Sequence, residues 1–129
     1  MRTLLPPGWP RPKGYSNGME AQGRLVFVAG QIGWDKHGQF PSSNFAGQFR
    51  QVLLNTLAVL KEAAAGPEHI VRMTWFVTSR DDYLTSLAEI GAAWKELMGR
   101  NYPTMSVIFV SSLVEREAKV EIETTAVVP

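Results

Sequence analysis

Apolar and polar positions follow two different periods along this chain, and the changes of period mark its elements. Residues 1–14 (MRTLLPPGWPRPKG) show neither period. They hold four of the eight prolines; proline cannot propagate a helix and biases its predecessor to extended geometry, so they read as an extended arm. Tyr15–Ala21 reads as a short strand, Gln22–Gly23 as a turn, and Arg24–Gly30 (RLVFVAG) as a strongly β-prone run, which together predict a hairpin. Gly33, Gly38, Pro41, Ser42 and Ser43 make residues 31–43 a loop. Phe45, Phe49, Val52, Leu53, Leu60, Ala63 and Ala64 then recur at spacings of three and four, predicting a helix over 45–65. Ser43 or Asn44 can cap it, and Gly66–Pro67 can stop it.

Residues 70–78 (IVRMTWFVT) return to a period of two, with Val71, Met73, Trp75 and Val77 on one face and Arg72, Thr74, Phe76 and Thr78 on the other. A second helix is expected over 82–98, lined by Tyr83, Leu84, Leu87, Ile90, Trp94, Leu97 and Met98. Asp81 can cap it, Asp82 suits the positive end of its dipole, and Gly99 ends it. Residues 105–111 form a strand entered through Tyr102–Pro103, and 119–128 a clearly alternating one beyond a charged turn at 115–117. Val120, Ile122, Thr124, Ala126 and Val128 share one of its faces; Lys119, Glu121, Glu123 and Thr125 share the other.

The predicted order is β-β-α-β-α-β-β, an α+β domain spanning 1–129. Two helices cannot cover both faces of such a sheet. They should pack on one face and leave the other, mixed in polarity, to a partner copy.

Composition narrows the chemistry. Apolar residues are 45% and charged residues 19% of 129, the balance of a folded soluble protein. The net charge is +1, with no basic block or aromatic stacking platform of the kind nucleic acid requires. Cysteine is absent, which removes disulfides, thiolate metal sites and cysteine nucleophiles together. The two histidines, His37 and His69, have no partner at ligand spacing, so no metal is expected. No phosphate loop, dinucleotide fingerprint or G-x-S-x-G elbow is present. With no signal-peptide or membrane-spanning pattern, a cytoplasmic location is the default expectation.

Several strings, in order, resemble one family. VFVAGQIG resembles the Rid (YjgF) signature of an apolar strand ending in S/A-G-Q-I, and FRQVLLNTLAVLKEAAAG its first helix. IVRMTWFVTSRDDYLTSLAEI, YPTMSVIFVSSL and VEIETTAVVP resemble its later strand, helix and strand segments. The likeness covers about Tyr15 to Val128 and is specific through its joint order rather than any one string. It implies a chorismate-mutase-like (YjgF-like) fold and a homotrimer with sheets around a threefold axis and helices outside. It implies small-molecule clefts at subunit boundaries, and hydrolysis of reactive imines or enamines to ammonia and a 2-oxo acid without cofactor or metal.

The resemblance carries over residue by residue. Met105 stands where active deaminases have an arginine that grips the substrate carboxylate in a two-pronged bond; methionine offers a polarisable apolar surface and no donor. Leu87 stands where an asparagine is common, and Ala29 where a serine is common. Together these changes make an apolar cleft. Tyr15 at the cleft mouth, the backbone near Gly30, and Glu121, which in the family holds or activates the attacking water, are retained; Val107 follows Met105 on the same strand face. Catalysis is thus expected from Glu121, and substrate contact from Tyr15, Ala29, Gly30, Leu87, Met105 and Val107.

Plainer roles exist for each. Met105 fits a core, Trp34, Trp75 and Trp94 fit a core as well as the lining of a cleft, Tyr15 fits a structural place at the start of a strand, Leu87 fits the helix stripe, and Glu121 and Glu123 fit a solvated strand face beside Lys119. Arg100 fits either a displaced positive charge or the C-terminal end of the second helix. An imine or enamine hydrolase acting on an unusual substrate, a non-catalytic binding trimer and a chaperone-like trimer are the three functions compatible with this pattern.

Overall fold

A computed structural model describes residues 1–129. Strands β1 (Arg2–Leu4) and β2 (Gly18–Glu20) form a small sheet of their own. The main sheet contains β3 (Arg24–Ile32), β4 (Ile70–Val77), β5 (Thr104–Phe109) and β6 (Val120–Val128), in the spatial order β3-β6-β4-β5. Strand β6 runs antiparallel to β3 and β4, while β4 and β5 are parallel. Helix α1 (Phe45–Glu62) links β3 to β4; α2 (Arg80–Thr85) and α3 (Leu87–Met98) link β4 to β5. Both crossovers step in the same direction across the sheet, so crossovers of one hand place their helices on the same face. That is the one-sided arrangement the sequence pattern predicts.

The core lies between this face and the helices. Phe49, Val52, Leu53 and Leu60 of α1 meet Val28, Met73, Val120 and Ile122 of the sheet, with Ile90, Trp94 and Met98 of α3 closing the far side. Asn44 caps α1, its side-chain oxygen accepting from the Gly47 N–H at 2.8 Å. Asn55, in the middle of α1, donates to the carbonyls of Ile32 (3.0 Å) and Trp34 (2.8 Å) and accepts from Gln51 (2.9 Å), tying the helix to the chain leaving β3. The opposite face has no helix. It carries Leu25 and Phe27, 61% and 71% exposed, beside Arg72, Glu123 and Thr125.

Three expectations are corrected. The predicted hairpin between residues 15–21 and 24–30 does not form: β2 pairs with β1 in the arm, and β3 pairs with β6. A long partner that pairs with β3 on both sides of one register shift offers many more ladder bonds than a three-residue strand. The arm is therefore not simply extended, and an Arg2–Glu20 ion pair (2.7 Å) helps hold it. The single helix expected over 82–98 is two, broken at Ser86, and its cap is Ser79, which accepts from the Asp82 N–H at 3.1 Å, rather than Asp81. Helix α1 stops at Glu62, with Ala64 taking a positive φ of 54°, before Gly66 and Pro67, which enter a short 3-10 turn (Pro67–His69) instead.

Candidate functional site

The cleft that unites predicted residues lies at the β5 edge, between β4, β5, α3 and the end of the arm. Residues on parallel partners in register share a face, so Met105 beside Met73 and Val107 beside Trp75 project toward the helices. Trp75, Ile90 and Trp94 are buried and form the floor. Tyr15 and Tyr102 stand at the rim, each 42% exposed, with Lys13 beside them. The enclosed volume is about 530 Å³, within the range of small-molecule sites.

Local bonding explains the placement. Ser16, itself buried, donates its N–H to the Pro103 carbonyl (3.0 Å) and its hydroxyl to the Tyr102 carbonyl, so Tyr15 and Tyr102 are fixed as neighbours. Trp94 Nε1 donates to the Asn101 carbonyl at 3.2 Å, which sets the ring's orientation. The ring centroids of Trp75 and Trp94 are 6.1 Å apart, within the distance typical of interacting aromatic pairs. Gly91, on the α3 face lining the cleft, has no atom within 4 Å of the position its Cβ would occupy. The cleft is open there because a side chain is missing.

The other predicted residues are elsewhere. Glu121 pairs with Phe76 in register, one position out of phase with Trp75, so it belongs to the sheet face without helices. Ala29 and Gly30 fall where the β3–β6 register shifts between Val28 and Gln31. A Cβ on Gly30 would lie 2.8 Å from the Glu121 carboxylate, so the glycine leaves room for that side chain. Ala29 borders a shallow depression with Arg72, Thr74 and Glu123 on the same open face. Leu87, half exposed at the start of α3, stands outside the cleft. The single chain thus gathers Tyr15, Met105 and Val107 in one place and Gly30 and Glu121 in another, on opposite faces of the sheet.

Sequence reasoning missed Lys13, Gly91 and Tyr102 in the cleft, and Arg100, which it weighed as a displaced charge and favoured as a partner for the helix end, lines an adjoining hollow. The signal for Gly91 was present, as a glycine inside a helical pattern, where it costs stability relative to alanine unless space is needed. A second hollow of about 800 Å³, lined by Ser42, Ser43, Thr78 and the 111–119 loop, holds none of the predicted residues. Gln48 forms its inner wall. The buried amide donates to the Glu117 carbonyl (2.8 Å) and accepts from the Lys119 N–H (2.8 Å), clamping that loop to α1. No group of three or more His, Asp or Glu side chains converges anywhere in the chain, and no helix is long and apolar enough to cross a membrane.

The family model described as endoribonuclease L-PSP matches residues 10–128. A RutC family protein of Synechocystis is 34% identical over 93% of this chain and 91% of its own length. The human 2-iminobutanoate/2-iminopropanoate deaminase is 28% identical over 81% of this chain and 73% of its own. The crystal structure of a Rid family protein from Yersinia pestis superposes with a TM-score of 0.83 at 30% identity, covering 98% of both chains. On a match that takes in all but the first nine residues and the last, the chain belongs to the Rid/YjgF family, whose model bears the description endoribonuclease L-PSP.

Proposed function

We propose that this chain is a homotrimeric hydrolase of reactive imines or enamines, with each site assembled between two copies. The carrying observation is the split of the site: Tyr15, Met105 and Val107 line a cleft on one face of the sheet, while Glu121 and Gly30 lie together on the other. One chain cannot bring the apolar cleft and the carboxylate to the same substrate; a second copy against the uncovered face can. Exposed Leu25 and Phe27 on that face are an apolar surface for such a contact. The human relative's name, an iminobutanoate and iminopropanoate deaminase, supports the reaction class.

In this reading Glu121 accepts a proton from water as its oxygen bonds to the imine carbon. The imine nitrogen takes up that proton from Glu121 and becomes the amine of a carbinolamine. The carbinolamine hydroxyl then gives its proton, by way of Glu121, to the amine, and collapse to the carbonyl breaks the carbon–nitrogen bond and releases ammonia. Met105, in place of the family's arginine, gives the substrate an apolar wall rather than a fixed cation. Substrates of this chain therefore differ from the small amino-acid-derived imines in carrying a larger apolar group.

The test generates imines in situ with an amino-acid oxidase and follows release of the 2-oxo acid. Wild type should accelerate release, and Glu121→Gln should lose about a hundredfold or more of it, the scale of general-base catalysis. No acceleration by the folded wild type with any imine, aliphatic or aromatic, overturns the enzymatic reading and leaves a binding role.

A further inference from the structure

Taking the cleft at the β5 edge as the substrate half-site proposed above, we infer that it is specific for a planar aromatic group bearing a carboxylate, with Gly91 and Lys13 as the residues that set this preference. The floor and walls supply the first half of the argument. Trp75 and Trp94 are buried at the bottom, Tyr83 and Met105 flank them, and Tyr15 and Tyr102 close the rim. Aromatic rings favour offset or edge contacts with other rings, and a thioether adds further attraction to a ring edge. An aliphatic guest of two or three carbons would leave most of this surface without contacts.

Gly91 supplies the room. It sits in α3, where alanine would be the better helix former, and its missing side chain borders the cleft with nothing within 4 Å of a Cβ. The position has no positive φ, so no backbone conformation demands glycine there. The open space beside it is where a ligand ring would lie.

Lys13 supplies the charge. It is the one ionised side chain lining the cleft, it is exposed, and it joins none of the chain's ion pairs. An ammonium at the mouth of an apolar slot selects a ligand whose ring enters first and whose anionic end stays at the rim. Arg11 and Arg100 line an adjoining hollow across the Tyr15–Tyr102 rim, which leaves Lys13 as the charge on the cleft's own lining.

Calorimetry on the full chain with three probes separates these contributions: phenylpyruvate, phenylacetone without the carboxylate, and 2-oxobutanoate without the ring. Phenylpyruvate should bind at least about tenfold tighter than 2-oxobutanoate. Gly91→Leu should fold normally by circular dichroism and weaken both ring-bearing probes about tenfold or more, since its side chain occupies their space. Lys13→Gln should weaken phenylpyruvate about tenfold and leave phenylacetone unchanged. Equal binding of phenylpyruvate and 2-oxobutanoate, or indifference to Gly91→Leu, overturns the inference. Its failure is distinguishable from failure of the enzymatic reading. Tight phenylpyruvate binding with no imine turnover keeps the aromatic slot and removes the reaction; turnover of small aliphatic imines with no preference for rings does the reverse.

Discussion

Replacing Thr124 by valine removes a buried hydroxyl that has no hydrogen-bond partner. The two side chains have nearly the same shape, so the desolvation penalty disappears without leaving a cavity. The variant should gain about 1 kcal/mol in urea unfolding at fixed protein concentration; a loss would mean that the hydroxyl has a partner in solution. Gly30→Ala works on the neighbouring part of the sheet in the opposite sense. Its Cβ would approach the Glu121 carboxylate to 2.8 Å, and that flexible side chain must swing away. Folding should survive while imine hydrolysis falls about as far as in Glu121→Gln; retained activity would separate Glu121 from the chemistry. Asp35 governs a local pH response. Its carboxylate accepts the backbone N–H groups of Gln39 (3.0 Å) and His37 (2.9 Å), which lower its pKa below 3.8. A lowered folded pKa means stabilisation that is complete above the unfolded value and lost as pH falls through the folded one. The Gln39 amide resonance should therefore shift with a midpoint below that of an ordinary aspartate in wild type, and that response should vanish in Asp35→Asn.

Between elements, the position of α1 depends on two close fits. A Cβ on Gly33 would come within 2.7 Å of the Gln48 Cβ and 2.9 Å of its Cα, so Gly33→Ala must push α1 away from the end of β3 and should cost about 1–3 kcal/mol. Gln48→Leu should cost a similar amount, because it strands the Lys119 N–H and the Glu117 carbonyl that the amide satisfies. Unfolding curves of both variants check this, and wild-type stability in Gln48→Leu would contradict the clamp. Such contacts show where sequence reading succeeds and stops. The apolar stripe of α1 and the alternation of β6 were legible because burial on one side imposes a period on a single element. The break at Ser86 was hidden, since Tyr83, Ile90 and Trp94 keep helical spacing across it. Strand pairing was misread at residues 15–30 because a turn signal reports local geometry, whereas the choice of β6 as partner depends on residues a hundred positions away. Gln48 looks like one more polar helix residue until its partners at 117 and 119 are in place.

At the scale of the whole molecule, every candidate site residue was named through likeness to a family, since the residue pattern alone gives Met105 a place in the core and Tyr15 a place at the start of a strand. Tyr15, Met105 and Val107 converge in one chain; Glu121 does not join them, since strand alternation sends it to the other face. In the proposed trimer a second copy both covers the face with Leu25 and Phe27 and completes the divided site. Light scattering should accordingly give a mass near three times the 14.3 kDa of the chain. The most direct test of a site shared between copies is complementation, using the imine that wild type turns over best. Glu121→Gln damages one half-site and Gly91→Leu the other, so at imine concentrations well below saturation each protein alone should show about a tenth of wild-type activity or less. Unfolded together in equal amounts and refolded, they should recover about a quarter of wild-type activity, because about a quarter of boundaries then unite two intact halves. A mixture as inactive as its components would contradict the account, since it would place both halves of the site within one chain.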